Sequence, residues 1–200
     1  MEQLILKSLE GSIAAKKAFA KEQLEEILLL VQWTVETLNS GNKLLIFGNG
    51  GSAADAQHMA AEFVNRFLID RPPLAAIALT TDSSILTSIG NDFSYDDIFS
   101  KQIMALGKPG DLALGISTSG NSPNVINGIE AARKLGMRTV ALTGGSGGKL
   151  KALSELTLNV PTSHTPYIQE THIWVEHLVC QLTDELLYGD LAQTEEGGKA

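Results

Sequence analysis

A doubly wound, five-stranded parallel sheet flanked by helices, an α/β fold, is predicted from three observations on the 200-residue chain. Five short, almost uninterrupted apolar runs recur along it, helical periodicities lie between most of them, and glycine-rich turns follow three of them. Short continuous apolar runs mark strands buried on both faces, as in parallel sheets. Their alternation with helices implies crossovers of one hand.

Residues 4–38 contain no proline and repeat apolar side chains at helical spacing through Ile13, Phe19, Leu24, Ile27, Leu28, Val31, Val35 and Leu38. This predicts two helices, with Gly11 a point of interruption in the first and Asn39-Ser40-Gly41-Asn42 the stop of the second. Strands are predicted over 43–48 (KLLIFG), 74–79 (LAAIAL), 111–117 (DLALGIS), 138–143 (RTVALT) and 156–160 (LTLNV). The last helix is expected over 167–188, and the polar stretch 189–200 is expected to be a frayed, disordered tail. One domain, 1–188, holds all of this. The N-terminal helical pair has no crossover role; it either covers a sheet face or serves oligomerisation.

An apolar content of 44% over this length supports a real core and excludes a disordered chain. Cys180 stands alone, which excludes an intrachain disulfide, and no apolar run approaches the ~20 residues of a membrane span. The start, MEQLILKSLEGS, lacks the basic flank and apolar block of a signal peptide, so a cytoplasmic location is expected. A net charge of −8 opposes general nucleic-acid binding. An anionic small substrate remains compatible with it only where backbone amides and hydroxyls reverse the sign locally.

Ligands of such sheets sit beyond the C-terminal ends of the strands. After the first strand comes Asn49-Gly50-Gly51-Ser52, leading directly into a helical pattern. The two glycines permit close backbone approach, Ser52 occupies an N-cap position, and free helix N–H groups face the strand end. After the third strand, Ser117, Thr118, Ser119 and Ser122 open another helix, an anion cradle without lysine. The absence of GxxxxGK[ST] and of GxGxxG after the first strand points to a sugar phosphate rather than a nucleotide. A third glycine-rich turn, 143–148, is read as a flexible connection. In 90–92, Asn91 and Asp92 offer groups for sugar hydroxyls, or form an ordinary Asx turn.

His58 and Glu62 stand four residues apart on the helix after the first strand, one turn apart on one face. On the last helix Gln169 and His177 are offset by about 80° and reach one flank, while His172 lies about 60° to the other side of Gln169. Packed against the earlier helix, His177 completes a His/His/Glu set of the kind that binds catalytic zinc.

The segments LLIFGNGGSAADAQHMAAEF, GNDFSYDDIFSKQI, GDLALGISTSGNSPNVINGIEAAR and IQETHIWVEH resemble the sugar-isomerase (SIS) domain of bacterial phosphoheptose isomerases, also called sedoheptulose-7-phosphate isomerases. The resemblance reaches from the N-terminal helices to about Leu187. It implies a homotetramer that converts sedoheptulose 7-phosphate to D-glycero-D-manno-heptose 7-phosphate for lipopolysaccharide core or related surface glycans. It assigns substrate contacts to Asn49, Gly50, Gly51, Asn91, Asp92, Ser117, Thr118, Ser119, Ser122 and Gln169, to which the loop reading adds Ser52 and the mechanism adds Glu62. It assigns one zinc ion per subunit to His58, Glu62, Gln169 and His177. Of these Gln169 is the least usual zinc ligand. Glu62 as base and His177 as acid follow from the proton transfer that an aldose–ketose isomerisation requires. A related branch of the fold is a non-catalytic tetrameric adaptor of the bacterial replication initiator, and its members lack the acid and the final histidine that are Glu62 and His177 here. The chain departs from some relatives in carrying Thr165-Pro166-Tyr167, without an acidic residue, just before IQE.

Overall fold

A computed structural model describes residues 1–196. Helices α1 (Glu2–Glu22) and α2 (Leu24–Asn39) precede β1 (Leu44–Gly48) and α3 (Gly51–Val64). Then come β2 (Ala76–Ala78), α4 (Ser83–Asp92), a 3-10 turn (Tyr95–Asp97), α5 (Ile98–Leu106), β3 (Leu112–Ile116) and α6 (Pro123–Lys134). The chain continues through β4 (Arg138–Gly144), α7 (Leu150–Leu153), β5 (Leu156–Val160) and α8 (Thr165–Glu196). The five strands are all parallel, in the order β2-β1-β3-β4-β5. The chain therefore leaves β1 toward β2 on one side and winds from β3 toward β5 on the other, which creates a switch point between β1 and β3.

Alternation along the strands sorts the core into two layers. Leu44, Ile46, Leu112, Leu114, Ile116, Val140 and Leu142 face Ile27, Leu30 and Val31 of α2, Met59 and Phe63 of α3 and Val175 and Val179 of α8. Leu45, Phe47, Ala113 and Ala141 face the other way, against Phe99 and Ile103 of α5 and Val125 and Ile129 of α6. Each large side chain so buried contributes about 1.5–3 kcal/mol. At the N-terminal ends of β1 and β3, the fully buried Asp111 carboxylate accepts from the backbone N–H groups of Lys43 and Lys108, both at 3.0 Å, and from Lys43 Nζ at 2.5 Å. These bonds compensate the burial of a charge.

Four expectations change. The first helix is not interrupted at Gly11: α1 runs through it, and the missing side chain makes room for Tyr167 of α8, whose hydroxyl would lie 2.5 Å from a Cβ there. The second strand shrinks to three residues, because it sits at the sheet edge and pairs only with β1. The last helix begins at Thr165 and continues beyond Gly189 to Glu196, so helical backbone replaces most of the expected frayed tail; residues 197–200 of that tail lie outside the described residues. The N-terminal pair divides its roles: α2 covers a sheet face, whereas α1 packs along α8 and leaves Leu4, Ile5, Leu9 and Ile13 exposed. Among the described residues no helix is long and apolar enough to cross a membrane.

His172, whose helical offset sets it apart from His177, packs into the interior. It is buried, and its Nε2 lies 3.0 Å from the carbonyl of Thr143 at the end of β4, which makes Nε2 the donor nitrogen. Burial pushes its pKa down to about 4, against the opposing pull of that hydrogen bond. The unfolded chain takes up this proton near 6.5 and the folded protein only near 4, so the contribution is complete above pH 6.5 and is lost as the pH falls toward 4. Urea unfolding between pH 7.5 and about 4 is expected to show the protein losing on the order of 3 kcal/mol more stability than His172→Gln, whose amide can still donate to Thr143. Parallel pH slopes in the two proteins would contradict this.

Candidate active site

The two predicted anion loops leave neighbouring strands at the switch point, since Gly48 of β1 and Ile116 of β3 are register partners. In the first loop Gly50, at φ +56°, is the N-cap of α3, and its carbonyl accepts from Ala53 and Ala54. Such a φ favours glycine. Ser52 is therefore not the N-cap; it lies inside the first turn, buried beside Gly48. At Gly51 a Cβ would meet Nε2 of Gln169, which reaches across from α8 and whose flexible amide end would have to shift. The unpaired N–H groups of the first turn of α3 thus open toward the same space as the Gln169 amide.

In the second loop the hydroxyls are not spent on capping. Ser122 is the N-cap of α6 but makes no side-chain cap bond; its Oγ lies 2.9 Å from Ser117 Oγ, which is 3.5 Å from Ser119 Oγ. Thr118 is half-buried and Ser119 exposed at the loop's rim. Asn121 folds the loop on itself, its backbone N–H donating to Ser119 Oγ and its side chain to the Ser119 carbonyl. The third glycine turn, expected as a flexible connection, instead braces this loop. A Cβ on Gly120 would strike the Gly147 carbonyl, and Leu150 N–H and Lys149 N–H bond Gly120 O and Asn121 Oδ1 at 3.1 Å. Asn91 and Asp92 form the last turn of α4 rather than a loop, and there the Asn91 amide donates to the Asp92 carboxylate at 2.8 Å.

Helices α3 and α8 meet where the sequence places the titratable set. His58 Nε2 is 3.0 Å from His177 Nε2 and 3.2 Å from Glu62 Oε1, and Phe67 stacks on His177 with ring centroids 5.3 Å apart. His58 and Glu62 remain partly exposed, so solvent and a substrate reach them. Two imidazoles and a carboxylate in contact are donors suited to zinc, whereas the Gln169 amide lies against Gly51, seven residues before His58 on α3. Tetrahedral zinc with ligands at about 2.0–2.1 Å needs donors about 3.3 Å apart, close to these separations but slightly wider than the His58–His177 contact. As placed, no group of three or more His, Cys, Asp or Glu among the described residues is arranged to hold a metal ion.

Several residues around this set carry no sequence signal. Arg71, buried, donates from Nε to Asp184 of α8 at 2.7 Å and from its terminal nitrogens to the carbonyls of Glu62 (2.9 Å) and Phe63 (2.8 Å). It satisfies the C-terminal end of α3 and ties it to α8. Burial raises the Asp184 carboxyl, and Arg71 pulls it back down. Behind His58, burial also raises Asp55, with the His58 charge opposing; Glu176 is held well above the usual carboxylate range by burial and by the Asp55 charge. Both Glu176 oxygens are buried without a hydrogen-bond partner among the described residues, the state of a neutral carboxyl. Asn124, at the start of α6, pairs with Asn49 across the switch point.

The SIS domain family profile matches residues 9–144. A phosphoheptose isomerase of Nitratidesulfovibrio vulgaris (strain Miyazaki F) is 50% identical over 186 residues, covering 93% of this chain and 89% of its own. The solved phosphoheptose isomerase of Neisseria gonorrhoeae superposes with a TM-score of 0.87 at 44% identity, covering 92% of this chain and 98% of that one. That of Francisella tularensis superposes at 0.88 with 39% identity, covering 92% and 97%. With the family profile over residues 9–144 and these relatives covering more than nine-tenths of its length, the chain belongs to the phosphoheptose isomerase family of SIS-domain proteins.

Proposed function

We propose that this isomerase interconverts sedoheptulose 7-phosphate and D-glycero-D-manno-heptose 7-phosphate, with the product destined for lipopolysaccharide core or surface glycans. The observation that carries the reading is the contact of His58 with Glu62 and His177, together with two helix starts at the switch point, at the second of which the hydroxyls cluster with one another instead of capping. The same contact favours an enzyme over the adaptor of the replication initiator, which needs neither Glu62 nor His177. The phosphate is held by Ser117, Thr118, Ser119 and Ser122, neutral donors that suit a dianion in an acidic protein. Asn49, Gly50, Gly51, Ser52, Asn91, Asp92 and Gln169 contact the open-chain sugar.

In the reaction Glu62 takes the proton from C1 of the ketose, leaving an enediolate, and returns it to C2. His177 gives a proton to the C2 oxygen as charge develops there and recovers one from the C1 hydroxyl, so the aldehyde forms with no net loss of protons. Zinc bound by His58, Glu62, Gln169 and His177 would supply Lewis-acid polarisation of the C1 and C2 oxygens. A carboxylate or imidazole engaged as a ligand is less available as base or acid, and metal removal separates the two roles.

Four chains assemble around the exposed apolar row of α1, where Leu4, Ile5, Leu9 and Ile13 recur three to four residues apart. A cytoplasmic location fits the single, buried Cys180, whose thiol burial pushes up.

Glu62→Gln and His177→Ala are each expected to lower kcat by about 10²-fold or more with unchanged circular dichroism; near-normal turnover would refute the role assigned. Verified metal removal should depress turnover, and full activity without metal would leave the acid–base pair and discard the Lewis acid. Ser119→Ala is expected to raise KM for the sugar phosphate by roughly tenfold with a smaller change in kcat. An unchanged KM would mean that this hydroxyl only shapes its loop. Light scattering should give a particle of four chains, converted to smaller species by Leu9→Glu; a monomeric wild type would overturn the assembly.

A further inference from the structure

The two loops of the site come from strands that part company at the switch point, and they are joined across it by one pair of side chains. Asn49 Nδ2 donates to Asn124 Oδ1 at 2.8 Å, and Asn124 Nδ2 donates back to Asn49 Oδ1 at 2.9 Å. Among the described residues no other side-chain hydrogen bond links the glycine loop at 49–52 to the hydroxyl loop at 117–124. Asn124 is 2% exposed and sits in the first turn of α6, two residues after Ser122. Asn49 follows directly on Gly48, whose register partner Ile116 directly precedes Ser117.

A reciprocal amide pair has properties that an apolar contact in the same place lacks. Each amide offers one donor and one acceptor to the other in a near-planar ring, so the separation and the relative twist of the two backbones are both set. A misplacement leaves the buried Asn124 amide and the half-buried Asn49 amide unsatisfied. The pair occupies one donor and one acceptor lone pair of the Asn49 amide, and the second N–H and second lone pair remain for a ligand.

We infer that Asn124 is a positioning residue for the isomerisation. Through Asn49 it fixes the distance between the hydroxyl loop that anchors the phosphate and the glycine loop that begins the helix bearing His58 and Glu62. Substrate is gripped at its phosphate end and reacts at C1 and C2. The loop separation thus decides which carbon lies at the Glu62 carboxylate. Losing the pair leaves the phosphate anchor in place and shifts the reacting carbons out of register, and a displacement of about 1 Å is enough to cost one to two orders of magnitude in rate. This rests on the isomerase reading above.

The test uses the intact protein with sedoheptulose 7-phosphate for turnover and inorganic phosphate, as a competitive inhibitor and calorimetric ligand, for the anchor. Asn124→Ala is expected to lower kcat tenfold or more while phosphate affinity stays within about twofold. Asn124→Leu keeps the bulk of the side chain without adding a charge and so guards against a cavity-driven folding defect; it offers Asn49 neither donor nor acceptor, and the same split is expected. In a double-mutant cycle, Asn49→Ala and Asn124→Ala together should cost no more than about threefold beyond either alone. Normal kcat in both Asn124 variants, loss of phosphate affinity in step with kcat, or single effects that multiply in the double variant would each overturn the inference. A wild-type protein with no turnover of the heptose phosphate would instead remove the isomerase reading, and this inference with it.

Discussion

The clamp of Arg71 on Asp184 is the interaction on which the catalytic arrangement depends. Helix α3 brings His58 and Glu62 and α8 brings His177, from positions 119 residues apart in the case of the two histidines. Their packing alone, through Met59, Phe63, Val175 and Val179, is apolar and tolerant of sliding. A buried guanidinium is not tolerant: it must satisfy its donors, and it does so on one carboxylate of α8 and on the last carbonyls of α3, that of Glu62 among them. The register of the two helices is thereby discrete. With the partner gone, an unpaired charge would remain in the interior, which typically costs 3–5 kcal/mol.

The layout of the sheet was legible because burial on both faces leaves a one-dimensional trace. Runs such as LLIF and LALGI have no other economical use, and the hydroxyls at 117–122 and the His58–Glu62 spacing stand out for the same local reason. The misreadings are equally local in origin. Gly11 looks like a helix break until Tyr167 is seen to need its space, and Ser52 looks like a cap until Gly50 takes the positive-φ turn two residues earlier. Nothing in the sequence could announce Arg71–Asp184 or Asn49–Asn124. These partners lie 113 and 75 residues apart and follow no period, so only the folded backbone defines them.

The acidic total charge and the anionic substrate are reconciled by where charge is absent. The hydroxyl loop carries no lysine, arginine, aspartate or glutamate between 116 and 129, and in the proposed phosphate site the pull on the anion would come from oriented dipoles at a helix start. The buried carboxyls on α3 and α8 behave differently: burial raises both Glu176 and Asp55, and the Asp55 charge raises Glu176 further.

Two of the three glycine turns interlock backbone to backbone, with Gly120 against the carbonyl of Gly147 and Gly148 against Ser119 and Gly120. Glycine ordinarily signals freedom, but here its lack of a side chain lets neighbouring chains touch and hold one another still. The conformational entropy of these loops is therefore surrendered when the protein folds, and a sugar phosphate arriving later meets a rigid receptor. The cradle can bind a small, strongly hydrated ligand without first ordering itself, and its affinity is set by exchange of water for oriented N–H and O–H groups.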